Sequence, residues 1–185
     1  MRIKSLVSSL AIMTALAGCG QSGDEPSTTA TAEESASTMQ ENTADTMAAF
    51  DAEATAVLAE IADVAPANDA GATLLSSYDG PYQGVPHFDE MNLEGLKPAL
   101  EAGMEKQLAE IDAIANNDEA PTFGNTIVAL EKSGDDLNRV FTYWGIWSSN
   151  MSSPEFREIQ GEMAPKLSEF FTKITQNENL FARVK

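Results

Sequence analysis

Residues 93–115 read LEGLKPALEAGMEKQLAEIDAIA, and apolar side chains recur along this stretch at intervals of three and four residues. The repeating positions are Leu93, Leu96, Leu100, Met104, Leu108, Ile111 and Ala115. This spacing places the apolar side chains on one face of an α-helix, so the stretch predicts an amphipathic helix with one buried side. Because proline lacks an amide hydrogen and is tolerated in a first helical turn, Pro98 predicts that the regular helix begins near Lys97.

A second stretch with the same period begins at a Thr122 cap. Its apolar positions are Phe123, Ile127, Leu130, Leu137, Phe141 and Trp144. Gly134 lies on the same stripe, where it costs about 1 kcal/mol against alanine unless a neighbouring helix needs the close approach. The pattern therefore predicts one long helix from Thr122 to Trp144.

A third stretch opens with Ser153 as cap and Pro154 at the first helical position. Its stripe consists of Phe156, Ile159, Met163, Leu167, Phe170 and Ile174. Pro165, which follows Gly161 by four residues, predicts a kink in this helix. Since no stretch carries a strand pattern, the sequence predicts an all-α fold, with antiparallel helices over residues 76–185.

The part of the chain before residue 76 has a weaker pattern. Met47, Phe50, Ala54, Val57, Ile61 and Val64 predict a thin amphipathic helix that stops before Pro66. Residues 66–86 contain several Gly, Pro, Asn and Asp residues and are typical of a connection. We therefore predict a weak helix and linker over residues 47–75.

The first 18 residues are typical of an export signal. Arg2 and Lys4 precede an apolar run that is too short to span a membrane as a permanent helix. The following LAGC, residues 16–19, resembles the lipobox of bacterial lipoproteins, in which the cysteine is lipidated after cleavage. Ordinary signal cleavage beside a chance cysteine is the alternative. The sequence thus predicts lipidation of Cys19 and a membrane anchor. Bacterial lipoproteins kept in the inner membrane tend to have Asp after the cysteine, so the resemblance, with Gly20 in that place, implies the outer membrane, facing the periplasm, in a cell with two membranes.

Residues 19–46 predict a disordered acidic tether, because they are rich in Ser, Thr, Ala, Glu and Asp and contain few apolar side chains. The net charge of the chain is -18. Residues 76–185 carry eighteen acids against nine bases, so no basic face for nucleic acid is expected. An anionic bilayer would also repel the chain, and membrane contact is expected through the lipid alone.

The residues for a zinc or nucleophilic active site are too few in this chain. His87 is the one histidine and Cys19 the one cysteine, so the helical His-Glu-x-x-His pair of zinc peptidases cannot be assembled. We predict no catalytic and no metal-binding residue, and a polar or packing role for His87. The many Asp and Glu residues leave a carboxylate-only mechanism open, but no pair stands out, so we interpret them as solvated helix faces. The aromatic cluster Phe141, Tyr143, Trp144 and Trp147 is expected to lie mostly in the core, with part of it free to face a partner.

Several segments, in consistent order over residues 74–185, resemble the thimet oligopeptidase family of zinc metallopeptidases, most closely its bacterial peptidyl-dipeptidase and oligopeptidase A branch. They are HFD at 87–89, LKPALEAGM at 96–104, AEIDAIANN at 109–117, APTFGNTIVALEKSG at 120–134, EMAPKL at 162–167 and LFARV at 180–184. The sequence departs from the family at Gly124, where a bulkier polar residue is usual.

The resemblance implies the N-terminal lobe of a larger all-α, two-lobed enzyme that hydrolyses short peptides in a deep channel. In that family zinc is held by His-Glu-x-x-His and a distant Glu, far downstream of the segments that match here. The zinc polarises the peptide carbonyl and the motif Glu activates water. None of those residues maps onto this chain, which is therefore expected to be inactive alone.

Three hypotheses follow. The chain is expected to be the N-terminal portion of a lipid-anchored zinc peptidase whose catalytic domain is absent. Leu180 and Phe181, near the end of the sequence, are apolar and are expected to need further partners. A non-catalytic helical lipoprotein that serves as a binding or scaffold module is the alternative. The third hypothesis is a chain that complements a separately encoded catalytic half.

Overall fold

The computed structural model describes the backbone of residues 29–79 and 84–185, and the side chains of residues 43–79 and 84–185. The chain divides into two compact units, Met1–Met39 and Gln40–Lys185. The predicted signal sequence and Cys19 belong to the first unit and lie outside the described residues. All of the packing that follows lies within Gln40–Lys185.

The described residues form seven α-helices and one π-helix. They are α1 Thr29–Leu58, α2 Asp69–Leu75, α3 Leu93–Ala115, the π-helix π1 Phe123–Val128, α4 Ala129–Lys132, α5 Asp135–Ser149, α6 Pro154–Thr175 and α7 Glu178–Val184. Within the described ranges, β-type pairing is limited to an isolated antiparallel bridge between Asp79 and Val85. The predicted all-α class is confirmed for this part of the chain.

Helix α1 has different bounds from those predicted. It begins at Thr29, so residues 29–46 are helical where the sequence predicts a disordered tether, and it ends at Leu58 rather than just before Pro66. The apolar period detects only helices that bury a face, and residues 29–46 contain few large apolar side chains.

Helix α2 lies in a segment that the sequence predicts to be a connection. Asn68 caps it by accepting a hydrogen bond from the Gly71 amide at 2.8 Å, and Leu74 is fully buried in the core. α2 approaches α3 so closely that a Cβ added to Gly95 would lie 2.3 Å from the Ala70 carbonyl oxygen. The helix has only seven residues, too few for a hydrophobic period to reveal it.

Helix α3 begins at Leu93, after an Asn92 cap, and not near Lys97. Pro98 therefore lies in the interior of the helix rather than in its first turn. The backbone carbonyl of Glu94, which loses its usual donor at Pro98, accepts a hydrogen bond from the Asn68 side chain at 3.1 Å. The helix thus begins at its own Asn92 cap, and Asn68 supplies the donor that Pro98 lacks.

The predicted helix from Thr122 to Trp144 is interrupted. π1 leads directly into α4, which ends at Lys132 with Ser133 as its C-cap, and Gly134 adopts the left-handed φ of +81° before α5 begins. Because the break resets the helical phase, the buried positions of α5 are Leu137, Val140, Tyr143 and Trp147. Phe141 and Trp144, which continue the predicted stripe, lie at the edge of this buried row: both are half-buried and pack against the core.

Helix α6 begins as predicted, with the Ser153 hydroxyl accepting from the Phe156 amide at 3.2 Å. It continues without interruption through Pro165 to Thr175. α5 runs antiparallel to α3, as the contacts of Gly103 with Leu137 and of Glu110 with Gly134 require. α6 runs parallel to α3.

Two apolar clusters hold the helices together. The first joins α2, α3, α5 and α6 and contains Leu74, Leu96, Leu100, Met104, Leu137, Val140, Tyr143, Trp147, Phe156, Met163 and Phe170. The second joins α1, α3, α4 and α7 and contains Ala54, Ile111, Ile114, Ala115, Ala129 and Leu180. Leu180, expected to lack a partner, is thus buried within the chain, whereas Phe181 is 68% exposed.

Candidate functional site

His87 lies in the connection between α2 and α3, with its main chain tied to the core. Its backbone amide donates to the Tyr143 hydroxyl at 3.0 Å, and its ring Nε2 lies 3.4 Å from the Ser77 carbonyl oxygen. Both contacts hold the loop in place, and the recorded ring contact is to a backbone carbonyl rather than to a hydroxyl nucleophile. His87 thus has polar contacts to Tyr143 through its amide and to Ser77 through its ring.

The aromatic cluster predicted on α5 separates into two groups. Tyr143 and Trp147 are buried, and Tyr143 makes edge-to-face contacts with Tyr78 and Phe88 at centroid distances of 6.4 and 6.2 Å. Burial raises the pKa of the Tyr143 hydroxyl, although the His87 amide hydrogen bond opposes that effect. The core role is thus found for these two residues.

Phe141 and Trp144 point towards α6 instead. Phe141 stacks on Phe171 at 6.4 Å, and Trp144 meets the buried Phe156 edge-on at 5.2 Å. Phe171 remains half exposed. These rings bridge α5 and α6 at the surface. The sequence predicts that part of the aromatic cluster is free to face a partner, and Phe141 and Trp144 are its members that remain partly accessible.

The surface between α3 and α6 contains an open groove, here called the α3–α6 groove. It lies between the N-terminal halves of the two helices and has a volume of about 560 Å³. Its lining residues are Leu93, Glu94, Lys97 and Pro98 of α3 and Glu155, Glu158, Ile159 and Glu162 of α6. Leu93, Pro98 and Ile159 are half-buried, so the groove has an apolar floor beneath a charged rim.

Two ion pairs fix the register of the helices beside this groove. Lys97 pairs with Glu162 at 2.5 Å, and Lys166 pairs with Glu101 one turn further along both helices. The equal spacing of the two pairs means that α3 and α6 run in the same direction. The hydrogen bond and charge of Lys97 lower the pKa of the Glu162 carboxyl, although the pair is exposed to solvent.

A second charged network lies between the end of α1 and the α3–α5 contact. Lys106 donates to Asp63 at 2.6 Å and to Asp136 at 2.8 Å, and Asp136 also pairs with Arg139. Burial lowers the pKa of Lys106, but the hydrogen bonds to Asp136 and Asp63 outweigh that effect and raise it overall. The network ties the α1–α2 connection to the core.

The side chain of Glu53 on α1 contacts the start of π1. Its Oε2 accepts from the Thr122 hydroxyl at 2.5 Å, and a Cβ added to Gly124 would lie 2.5 Å from the same oxygen. The Phe50 and Phe123 rings pack edge-on at 5.1 Å beside it. A side chain at Gly124, the position where the sequence departs from the family it resembles, would have to displace the Glu53 side chain.

Sequence reasoning did not find these sites. It predicted the carboxylates of the groove to be solvated helix faces, and it missed α2, for which the sequence Asn68-Asp69 was the available capping signal.

Within residues 43–79 and 84–185, no group of three or more His, Cys, Asp and Glu side chains is placed to hold a metal ion. In the same ranges, no helix combines the length and the apolar character needed to cross a bilayer.

Comparison with known proteins gives the context of these helices. No protein-family model matches the chain. A dipeptidyl carboxypeptidase of Escherichia coli (strain K12) is 38% identical over 100 residues, which are 54% of this chain and 15% of that protein. One of Salmonella typhimurium is 35% identical over 104 residues, 56% of this chain and 15% of its own length.

An oligopeptidase A of Haemophilus influenzae is 29% identical over 99 residues, 54% of this chain and 14% of that protein. The resemblance predicted from the sequence is confirmed. The chain spans about 15% of the length of the dipeptidyl carboxypeptidases that it matches. The likeness therefore concerns one helical region and not a whole peptidase.

Proposed function

We propose that this chain is the N-terminal helical part of a lipid-anchored zinc peptidase that hydrolyses short peptides. The observation that supports this proposal is the 38% identity over 100 residues to a dipeptidyl carboxypeptidase. In this proposal the helices form one wall of the channel through which peptides reach the catalytic domain. The wall would bind and orient peptides and would not cleave them.

The zinc of the proposed parent enzyme does not fit the described residues. His87 contacts a backbone carbonyl, and no metal-binding group of side chains exists in residues 43–79 and 84–185. The ligands and the base of the reaction would have to be supplied by a separate catalytic domain. The described residues would contribute position and charge.

Sequencing the DNA downstream of the Lys185 codon tests the proposal. We expect an open frame that continues to a His-Glu-x-x-His motif. A stop codon at that point, with no peptidase gene nearby, would contradict the proposal. Labelling cells with a radioactive fatty acid tests the anchor: we expect label on the wild-type chain and none after Cys19→Ser, and an unlabelled wild type would contradict the anchor.

A non-catalytic binding module is a second candidate function, because two apolar clusters are buried among the helices of the described residues. Leu74, Leu96, Leu100, Ile114 and Tyr143 are all fully buried without any added domain. Such a module should unfold cooperatively and bind little hydrophobic dye. Non-cooperative melting with strong dye binding would instead favour a lobe that needs its catalytic domain.

A further inference from the structure

We propose that the α3–α6 groove is a docking site for a basic amphipathic helix of a partner protein. This binding does not depend on peptide hydrolysis, so it stands or fails separately from the proposed function. The groove belongs to the described residues and is open to solvent on its outer side. Its shape, its floor and its charge each favour such a partner.

The shape of the groove suits a helix. α3 and α6 are parallel neighbours, and the furrow between two such helices accepts the side-chain ridge of a third. Recognition of this kind places apolar anchors at helical spacing into an apolar floor. Here Leu93, Pro98 and Ile159 provide that floor, and each remains partly accessible.

The rim of the groove carries an excess of negative charge. Four carboxylates line it, Glu94, Glu155, Glu158 and Glu162, against the single cation Lys97, which is already paired. Hydrogen bonds from its own backbone amide and from the Ser153 hydroxyl lower the pKa of the Glu155 carboxyl, so it stays ionised. Carboxylates in a first helical turn stabilise that helix, which accounts for Glu94 and Glu155 but not for Glu158 or for the apolar floor.

Most cations of residues 76–185 are already paired. Six of the nine bases are held in ion pairs, namely Lys97, Lys106, Lys132, Arg139, Lys166 and Lys173. Lys97 compensates Glu162 at the groove itself, which leaves Glu94, Glu155 and Glu158 of the rim without an ion pair among the described residues. Lysine or arginine residues that flank an apolar stripe complement this arrangement.

Other occupants match the groove less well. A second copy of this chain would bring a further net charge of -18 against an acidic rim. An anionic bilayer would be repelled for the same reason. A basic helix is the occupant for which the apolar floor and the charged rim act together.

A titration with synthetic helices tests the proposal on the full chain carrying Cys19→Ser. The probe is a fluorescent peptide of about fourteen residues with leucines at helical spacing, flanked by lysines. Its control has glutamate in place of every lysine. We expect saturable binding of the lysine peptide that weakens as salt is added, and at least about tenfold weaker binding of the glutamate peptide.

Two double variants with the same change in net charge locate the site. Glu94→Gln with Glu158→Gln removes carboxylates from the rim, whereas Glu60→Gln with Glu131→Gln removes exposed carboxylates elsewhere. We expect the first pair to weaken binding about fivefold or more and the second to leave it unchanged. Equal weakening in both, or no saturation with the lysine peptide, would overturn the proposal.

Amide chemical-shift mapping on the Cys19→Ser chain provides a measurement that does not depend on the folding of the rim variants. Addition of the lysine peptide should shift the amides of Leu93, Glu94 and Lys97 on α3 and of Glu158 and Ile159 on α6. Shifts that cluster on another surface would overturn the proposal. Concentration-dependent dimers without added peptide would identify a second copy as the occupant instead.

Discussion

The side-chain amide of Asn68 donates a hydrogen bond to the backbone carbonyl of Glu94 across 3.1 Å. A helix normally supplies the donor for that carbonyl four residues later, but the residue there is Pro98, which has no amide hydrogen. The same Asn68 side chain accepts from the Gly71 amide at 2.8 Å. One residue therefore caps α2 and completes the hydrogen bonding of α3.

Replacing Asn68 separates these two roles. Asn68→Asp keeps an acceptor for the Gly71 amide but removes the donor to Glu94, so we expect a loss of about 1 kcal/mol in the free energy of unfolding. Asn68→Ala removes both contacts and should cost about 2 kcal/mol. Urea unfolding at neutral pH measures both. Asn177→Asp is the control: the new side chain still accepts from the Leu180 amide, so the free energy of unfolding should change little. If this control loses as much stability as Asn68→Asp, the prediction is contradicted.

Local signals made part of the fold predictable. Ser153 and Pro154 lie beside the helix that they start, so the beginning of α6 could be read from adjacent residues. The start of α3 also has an adjacent signal, the Asn92 cap, whose side chain accepts from the Gly95 amide at 2.9 Å. This signal was missed because Pro98 predicted a first helical turn near Lys97. The donor that Asn68 supplies to Glu94 comes from twenty-six residues away and leaves no mark on the local period.

The groove could not be predicted for a related reason. Glu94 and Glu158 each look like residues of a solvated helix face, which is how the sequence was interpreted. They share a rim only because α3 and α6 are parallel and in register, as the pair of Lys97 with Glu162 shows. The confirmed resemblance to peptidases, by contrast, rests on sequence segments and needed no tertiary contact.

Gly134 should be one of the least replaceable glycines of the chain. Its φ of +81° is costly for any residue with a side chain, and a Cβ there would lie 2.3 Å from atoms of the Gln107 side chain. We expect Gly134→Ala to lower the free energy of unfolding by about 1 to 2 kcal/mol. Gly145→Ala is the matched control, because a Cβ there meets nothing within 4 Å.

The control should behave in the opposite way. Gly145 lies inside α5, where alanine is the better helix former by about 1 kcal/mol, so Gly145→Ala should stabilise the protein. Denaturant unfolding of both variants gives the comparison. If Gly134→Ala is as stable as the wild type, the left-handed break between α4 and α5 is not a constraint of the folded state.

Glu110 should make stability depend on pH. Its nearly buried carboxylate accepts from the Gly134 amide at 2.7 Å, and burial raises its pKa, against the opposing effects of that hydrogen bond and of Lys106. Asp135 and Asp136 raise it further. Because the folded state binds this proton more tightly than the unfolded state, the stabilisation is complete below the unfolded pKa and is lost as pH rises through the folded pKa.

Glu110→Gln removes this titration while keeping an oxygen acceptor for Gly134. Relative to the wild type, the variant should gain stability as pH rises from about 4 to 7. Urea unfolding of both proteins at several pH values measures the difference between their free energies of unfolding. The contributions of the unaltered titrating groups largely cancel in that difference. For Glu131→Gln, at an exposed site on α4, the difference in free energy of unfolding from the wild type should not depend on pH. If the difference for Glu110→Gln does not depend on pH either, the prediction is contradicted.

Arg183 should control the local stability of α7. Its Nη1 donates to the backbone carbonyls of Asn117 at 2.7 Å and Glu119 at 3.0 Å, and its Nη2 donates to the Asn125 side chain at 3.0 Å. A lysine has one ammonium and cannot reproduce this fork. The Nε of Arg183 is buried without a partner among the described residues, so its removal offsets part of the loss.

We therefore expect Arg183→Lys to speed amide exchange in α7 about tenfold, with little change in α6. Leu180, which is buried against α3 and α4 in the folded protein, should become accessible when α7 unfolds locally. Hydrogen exchange followed by NMR resolves the two helices. Arg157→Lys, at an exposed position of α6, is the control and should leave the amide exchange rates of both helices unchanged. If the amides of α7 are equally protected in Arg183→Lys and in the wild type, apolar packing alone holds the helix.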